Sequence, residues 1–373
     1  MMNRRSFLMT AAATTAAILL PTSLLAAISQ QHTDKQFYSG MADSQGNYFL
    51  SATDLSGKKL FEIPLPARGH APTLSPDGKQ LVMVARRPEN WLLVANLQTG
   101  QSQTLQGHPN RHLHGHGVFS ANGQWFYTTE NDFDNQRGVI GIYDVENQFE
   151  RTGEFASGGI GPHELLLSPD GQYLIIANGG ILTHPDTGRA KLNLESMQPN
   201  LAIIERTTGK QVIRQQLDKK YHQLSIRHIA VNQDFSVGIA LQYQGKKSDR
   251  HPLIALWKPG SEIKLLDIPA NKLDRMRNYC GSITMDSNGQ VMAVSSPRGG
   301  LISYWSTDNG QWLGHSDLAD GCGIAASGKA GEFLISGGRG DLILYRPCND
   351  RSGVSEQSIT IGKFDGRWDN HLV

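Results

Sequence analysis

The chain has 373 residues with 35 basic and 34 acidic side chains, so it can bury a substantial core but has no excess charge to attract nucleic acid or an anionic membrane. Its 40 glycines and short apolar runs favour strands and turns over helices. Cys280, Cys322 and Cys348 are too few for a disulfide scaffold; one pair could close in an oxidising compartment.

The first 27 residues have the features of an export signal. Arg4 and Arg5 precede Phe-Leu and an apolar stretch that ends near Ala27 and is too short and too polar for a stable transmembrane helix. The arginine pair resembles the twin-arginine signal, and a general secretory signal is the alternative. We expect cleavage after Ala26 or Ala27, a periplasmic protein without stable membrane insertion, and one domain over residues 28–373.

A repeated unit runs through the rest of the chain. It consists of a short apolar strand, a tight turn and a second apolar strand, and its clearest copies begin at His70 and His163 and share Leu-Ser-Pro-Asp-Gly. Pro-Asp-Gly supplies the positive φ that hairpin turns need. A third strand and a more polar fourth strand follow, and four antiparallel strands in about 40–60 residues are typical of a propeller blade.

The number of strands predicts how the ring closes. The first unit has only three strands, Gln36–Ala42, Tyr48–Thr53 and Lys59–Leu65, and lacks the innermost one. The tail Arg367–Val373 begins like the other inner strands, so we expect it to join the first unit and remove an exposed sheet edge. Six complete units lie between them. The sequence therefore predicts an all-β, seven-bladed β-propeller; a pair of β-sandwiches is the alternative but does not explain the repeats.

One segment, Asn178–Pro199, breaks the period between the second and third strands of the fourth predicted blade. A loop of this length inside a repeat is more often functional than idle.

Histidines are concentrated on one predicted face. Loops between blades and loops between second and third strands share this face, whereas the other hairpin turns share the opposite face. The turns of the opposite face contain no histidine, and eleven histidines are assigned to the first face: His70, His108, His112, His114, His116, His163, His184, His222, His228, His251 and His371.

Several of these side chains begin inner strands, next to the central channel. Imidazole with carboxylate suits iron, zinc, copper or nickel, and arginine suits phosphate, carboxylate or a chelated anion. We expect iron or copper; in the alternative interpretation the histidines brace neighbouring blades by hydrogen bonds to the backbone. The candidates for metal or ligand binding are His70, His114, His116, His163, Glu164, His228 and His371, and those for anion binding are Arg68, Arg227 and Arg367.

Other residues offer weaker candidates. Glu130 and Asp132 add carboxylates near the same face, and Cys280 and Cys322 begin inner strands of adjacent blades, where a disulfide, a shared metal site or two buried thiols are the alternatives. The sequence has no Gly-x-Ser-x-Gly elbow, no Cys-x-x-Cys and no phosphate-binding glycine loop before a helix.

Several segments resemble a family of exported bacterial propellers of unknown function. They include His114-Gly-His-Gly-Val-Phe-Ser, Gly159-Ile-Gly-Pro-His-Glu-Leu, Asn178-Gly-Gly-Ile-Leu-Thr-His-Pro-Asp-Thr-Gly-Arg and Trp368-Asp-Asn-His-Leu. Members of that family tend to be encoded beside imelysin-type periplasmic proteins and di-haem oxidoreductase-like proteins. The resemblance therefore implies a role in iron acquisition, with such proteins as partners, and it supplies no catalytic residues.

The sequence thus favours a periplasmic binding or scaffold module. Its histidine- and arginine-rich face would hold a metal, a metal chelate or a partner protein. The alternative is a metal-dependent redox or hydrolytic enzyme at the same channel mouth, since propellers host both kinds of function.

Overall fold

The protein is a ring of seven four-stranded antiparallel sheets, here called blades 1 to 7. The computed structural model describes residues 35–347 and 356–373 and the backbone of Ala17–Leu19. The blades, each given from its inner to its outer strand, are: blade 1, Arg367–Leu372, Gln36–Ala42, Tyr48–Asp54, Lys59–Leu65; blade 2, Gly69–Leu74, Gln80–Ala85, Trp91–Asn96, Gln101–Gln106; blade 3, His112–Phe119, Trp125–Asp132, Arg137–Asp144, Glu150–Ala156; blade 4, Pro162–Leu167, Tyr173–Asn178, Asn200–Glu205, Gln211–Gln216; blade 5, Leu224–Val231, Val237–Tyr243, Ile254–Trp257, Lys264–Leu265; blade 6, Ser282–Met285, Val291–Ser296, Leu301–Ser306, Trp312–Asp317; and blade 7, Gly321–Ala326, Phe333–Gly337, Asp341–Pro347, Glu356–Lys363.

The C-terminal strand closes the ring, as the sequence predicts. It pairs antiparallel with Gln36–Ala42, and Trp368 and Leu372 are buried. Each inner strand also contacts the inner strand of the next blade around the whole circle. The predicted all-β, seven-bladed propeller and its mode of closure are therefore confirmed.

The repeated turns have one construction. In blades 2 and 4 the glycine of Ser-Pro-Asp-Gly has φ of 71°, a value that favours glycine over residues with a Cβ. The serine hydroxyl accepts from a backbone N–H five residues later, from Gln80 at 2.8 Å for Ser75 and from Tyr173 at 2.9 Å for Ser168. Similar turn chemistry thus sets the register of both hairpins.

The cores lie between adjacent blades. Second and third strands are buried on both faces, which explains continuous apolar runs such as Leu-Val-Met-Val-Ala in Gln80–Ala85. For example, Val82 and Val84 of blade 2 pack in one cluster with Phe119 and Phe126 of blade 3. Outer strands such as Gln211–Gln216 are polar and largely exposed. Each blade therefore covers its neighbour and leaves the channel to the inner strands.

Few segments depart from the blade pattern. Among the described residues, the α-helix Ala270–Met276 links blades 5 and 6, and 3₁₀ turns are found at Pro185–Thr187, Leu194–Ser196, Lys219–Tyr221 and Pro297–Gly299. The first two belong to the insertion in blade 4, which lies where the sequence predicts it. Within the part of the chain that the structure describes, no helix is long and apolar enough to cross a membrane.

The predicted export signal lies outside the described residues, apart from Ala17–Leu19. These three residues pair with the outer strand of blade 2. Cleavage after Ala26 or Ala27 would remove this strand. Cys348 also lies outside the described residues.

Candidate functional site

Irregular inner strands direct side chains to the channel. In blade 2 the register passes from Gly69 opposite Ala85 to Ala71 opposite Val84, so His70 is an extra residue in its strand. In blade 4, two residues of the inner strand likewise lie opposite one residue of the second strand, and His163 is the extra residue. Arg227 is the extra residue in blade 5. Register shifts also occur in the inner strands of blades 1 and 3. Because a β-bulge reorients the side chains around it, these irregularities bring residues of five blades to one place.

Five histidine rings meet in the channel and form the channel cluster, together with the Glu164 carboxylate. Ring centroids of His70 and His116 lie 4.4 Å from that of His371. The rings of His163 and His228 are 4.7 Å apart, and His228 lies 4.9 Å from His371. All five histidines are buried. Each comes from a different blade, so no sequence segment supplies more than one ring.

The ligand atoms of the channel cluster are close enough to share an ion. One donor atom from each of His116, Glu164, His228 and His371 lies within 4.8 Å of the others, and His70, His116 and His163 form a second such group. Imidazole nitrogen and carboxylate oxygen bind first-row transition metals at about 2.0–2.2 Å. Donor atoms around one ion must therefore lie within about 4.4 Å of each other, which small movements of these side chains would achieve.

Glu164 joins two rings of the channel cluster. One carboxylate oxygen is 3.1 Å from Nδ1 of His228 and accepts from the backbone N–H of Ile229 at 2.9 Å. The other oxygen is 3.4 Å from Nδ1 of His116. When Nδ1 of a ring carries the proton, its Nε2 is left as the acceptor that can bind a metal.

Several ring nitrogens of the channel cluster have no partner. Within the described residues, both nitrogens of His70 and Nε2 of His116 and His371 are buried without a hydrogen bond. No ring nitrogen of the five is hydrogen-bonded to a backbone atom of residues 35–347 or 356–373. Buried polar atoms normally find partners, so the hydrogen bonds that the bracing interpretation requires are missing here.

Burial keeps the five imidazoles neutral. Desolvation lowers the pKa of His70, His116, His163 and His228 well below 6.5 and that of His371 to about 3, and neighbouring positive charge adds to the effect. Burial raises the pKa of Glu164 to about 7. Neutral imidazole is the form that binds metal, so the rings are ready to coordinate at neutral pH.

Gly115 allows the inner strands of blades 2 and 3 to approach each other closely. Its φ is 102°, and a Cβ at this position would lie 2.3 Å from Cδ2 of His70. A side chain here would therefore displace the His70 ring from the channel cluster.

The other predicted site residues lie elsewhere or have other partners. Within the described residues, His114 is half-buried and its ring contacts none of the five rings of the channel cluster. Arg68 donates to Asp369 at 2.6 Å, and the second oxygen of Asp369 is 3.5 Å from Nδ1 of His70, so Arg68 contacts the cluster only through this carboxylate. Arg367 is exposed and lines a separate cavity between blades 1 and 7.

The weaker candidates are structural. Glu130 forms an ion pair with Arg151 at 2.8 Å, and Asp132 forms one with Arg137 at 2.7 Å, both within blade 3. Cys280 and Cys322 are buried free thiols, and burial raises the pKa of Cys280 to about 12. The interpretation as buried thiols is therefore correct for these two cysteines.

Sequence reasoning missed much of the basic channel mouth. A cavity of about 620 Å³ is lined by Arg227, one of the predicted anion-binding residues, and also by Arg277, Arg87, Lys191 and Arg298. All five lie in segments that blade connectivity assigns to the histidine-rich face. Assigning the arginines and lysines to the two predicted faces, in the same way as the histidines, would have identified these basic residues.

Comparison with known proteins supports the fold and identifies a family. A family model described as "Protein of unknown function (DUF1513)" matches residues 63–373, so the chain belongs to this family. No curated protein sequence matches the chain.

Two solved structures show similar architecture. A chain of Kuenenia stuttgartiensis hydrazine synthase aligns with a TM-score of 0.60 at 13% identity, covering 89% of this chain and 98% of that one. A chain of the mitotic checkpoint complex aligns with a TM-score of 0.56 at 14% identity, covering 80% and 82%. At such low identity the likeness concerns the fold alone.

Proposed function

We propose that this member of the DUF1513 family is a binding protein that holds a first-row transition metal ion, iron or copper, in its channel cluster. The observation that carries the proposal is the convergence of five buried, neutral imidazoles and one carboxylate from five blades, with four ring nitrogens that form no hydrogen bond to the described residues. Burying several polar groups without hydrogen bonds costs about 1–3 kcal/mol each. A metal ion bound to these nitrogens would offset that cost.

The composition of the channel cluster restricts the metal. Five nitrogen donors and one carboxylate suit iron, copper, zinc or nickel, whereas magnesium and calcium prefer sites made of oxygen donors. The gene neighbourhood implied by the family resemblance favours iron. Within this proposal the protein works in the periplasm after twin-arginine export, and imelysin-like and di-haem oxidoreductase-like proteins are its partners.

Direct metal analysis tests the proposal. Tag-free protein purified from its native periplasm should contain one equivalent of iron or copper, and the metal-free protein should bind that metal again stoichiometrically. Replacing His163 and His228 with Ala should abolish this binding, whereas His108→Ala with His251→Ala, outside the channel cluster, should leave it unchanged. Wild-type protein that takes up neither iron, copper, zinc nor nickel would refute the metal site.

A further inference from the structure

The channel mouth also contains the basic cavity of about 620 Å³. Most of its lining comes from blade 5, from the inner and second strands, the second-to-third loop and the link to blade 6. The second-to-third loops of blades 2 and 6 and the insertion of blade 4 complete it. Six basic side chains of the lining form no ion pair with a described residue: Arg87, Lys191, Arg227, Lys247, Arg277 and Arg298. Among these six, Lys191 donates a hydrogen bond to the neutral Gln244 side chain. Arg250 also lines the cavity but is paired with Asp274 at 2.6 Å.

The positive charge of this cavity is local and uncompensated. No carboxylate belongs to the described lining residues, although the whole chain has a net charge of only +1. Nε of Arg227 and Nη1 of Arg87 are buried and lack a hydrogen-bond partner among the described residues. Buried guanidinium groups are normally paired, so these two require an acceptor that the described residues do not supply.

The charges of neighbouring arginines repel each other at this mouth. Burial and the charge of Arg86 lower the pKa of Arg87. An anion in the cavity would relieve this repulsion.

One wall of the cavity is organised by an aromatic ring. The Arg298 guanidinium lies 4.1 Å from the centroid of the Tyr279 ring, which holds an otherwise exposed side chain over the cavity. Planar guanidinium groups in fixed positions suit bidentate recognition of carboxylate or phosphate. The volume is that of a small-molecule site.

We propose that this cavity binds a small oxyanion with two or more negative charges, a polycarboxylate or a polyphosphate. The site is separate in its residues from the channel cluster and does not depend on the proposed metal site. Arg227, which lines the cavity, and His228, which belongs to the channel cluster, are adjacent in the inner strand of blade 5, so the two sites meet at this strand.

Calorimetric titration of metal-free, tag-free protein tests this inference. Tricarballylate, pyrophosphate and the neutral triol glycerol are the probes. We expect one equivalent of tricarballylate or pyrophosphate to bind, more weakly as salt rises, and glycerol not to bind. Binding of only one anion would identify the carboxylate or the phosphate as the natural chemistry.

Variants distinguish this cavity from adventitious binding. Arg298→Gln, at an exposed position that folding does not require, and Arg227→Met should each weaken binding at least tenfold. Arg214→Gln, exposed on the outer strand of blade 4, should not change it. No anion binding, or binding unaffected by both cavity variants, would overturn the inference.

The outcomes for the two sites are independent. Anion binding that persists in the variant with His163→Ala and His228→Ala would support two sites. Metal binding without anion binding would reject only the cavity, and anion binding without metal binding would reject only the proposed function.

Discussion

Nδ1 of His228 lies 3.1 Å from the carboxylate of Glu164, which belongs to the neighbouring blade and also accepts from the backbone N–H that follows His228. This double contact fixes the ring of His228 relative to the inner strand of blade 4. It also determines which ring nitrogen is available to a metal.

Replacing Glu164 with Gln should lower metal affinity about 10–100-fold, the usual effect of removing a carboxylate that binds or orients metal ligands. The amide oxygen can still accept from the N–H of Ile229, so the fold should be retained. Competition titration with a chelator measures the change, and Glu262→Gln at the exposed surface is the matched control. Equal affinities of both variants would show that Glu164 has no part in the site.

Replacing Gly115 with Ala should disturb the channel cluster as well as the local backbone of the inner strand in blade 3. The matched control is Gly123→Ala, whose φ of 73° imposes a similar backbone strain but whose Cβ would meet nothing closer than 3.9 Å. Both variants should lose about 1 kcal/mol of stability from the strain. Only Gly115→Ala should also lose metal binding, measured by titration, because its Cβ collides with His70. Unchanged binding in Gly115→Ala would show that the His70 ring is not required.

The metal-free protein should lose stability steeply as the pH falls below about 6.5. The five histidines have lowered pKa values in the folded state, so the unfolded chain binds protons first, and each contributes up to about 1.4 kcal/mol per pH unit. Glu164 acts in the opposite direction, because its folded pKa of about 7 exceeds the ordinary 4.5 and it binds a proton as the pH falls through 7. His114 acts like the five, because burial also lowers its pKa well below 6.5, so the net effect is that of about five histidines.

Urea unfolding at a series of pH values between 7.5 and about 4.5 measures this dependence. His70→Leu should reduce the slope of the unfolding free energy against pH by the contribution of about one histidine. His108→Leu, at the exposed surface, should leave this slope unchanged. A stability that is constant over this range would contradict the neutral, buried state of the five rings.

Deleting Trp368–Val373 should open the ring and cause aggregation or a large fall in melting temperature. A milder test is Leu372→Ala, which should cost about 2–5 kcal/mol because Leu372 is only 4% exposed. Val373→Ala should cost less than about 0.5 kcal/mol, since Val373 is 45% exposed. Thermal unfolding of the three variants tests whether the C-terminal strand closes the ring. A wild-type melting curve for the deletion variant would exclude this role of the strand.

The export route has its own test. If the twin-arginine system reads Arg4 and Arg5, changing both to Lys should leave the precursor in the cytoplasm, as immunoblots of fractionated cells would show. Normal periplasmic accumulation of the double variant would favour the general secretory route.

Much of the fold was predictable from local sequence. Ser-Pro-Asp-Gly specifies the hairpin turns, and the surplus strand at Arg367–Leu372 supplies what the first blade lacks. The face on which the histidines lie followed from strand directions alone. The sequence could not show that His116 rather than His114 joins the channel cluster. Only the irregular register of the inner strand in blade 3 determines which of the two side chains reaches the other rings.

The sequence by itself thus determined the blades, their number and the face that is rich in histidine, because turns and strand pairs depend on residues close together in the chain. Only the tertiary structure decided which side chains meet. The ring centroids of His70 and His371 are 4.4 Å apart, although these residues lie near opposite ends of the chain. Arg68 donates a hydrogen bond to Asp369, so this contact rather than a ligand engages its guanidinium group. Closing a ring of seven blades brings distant residues together in the channel, and the register shifts in the inner strands of blades 1 to 5 then decide which of them face one another.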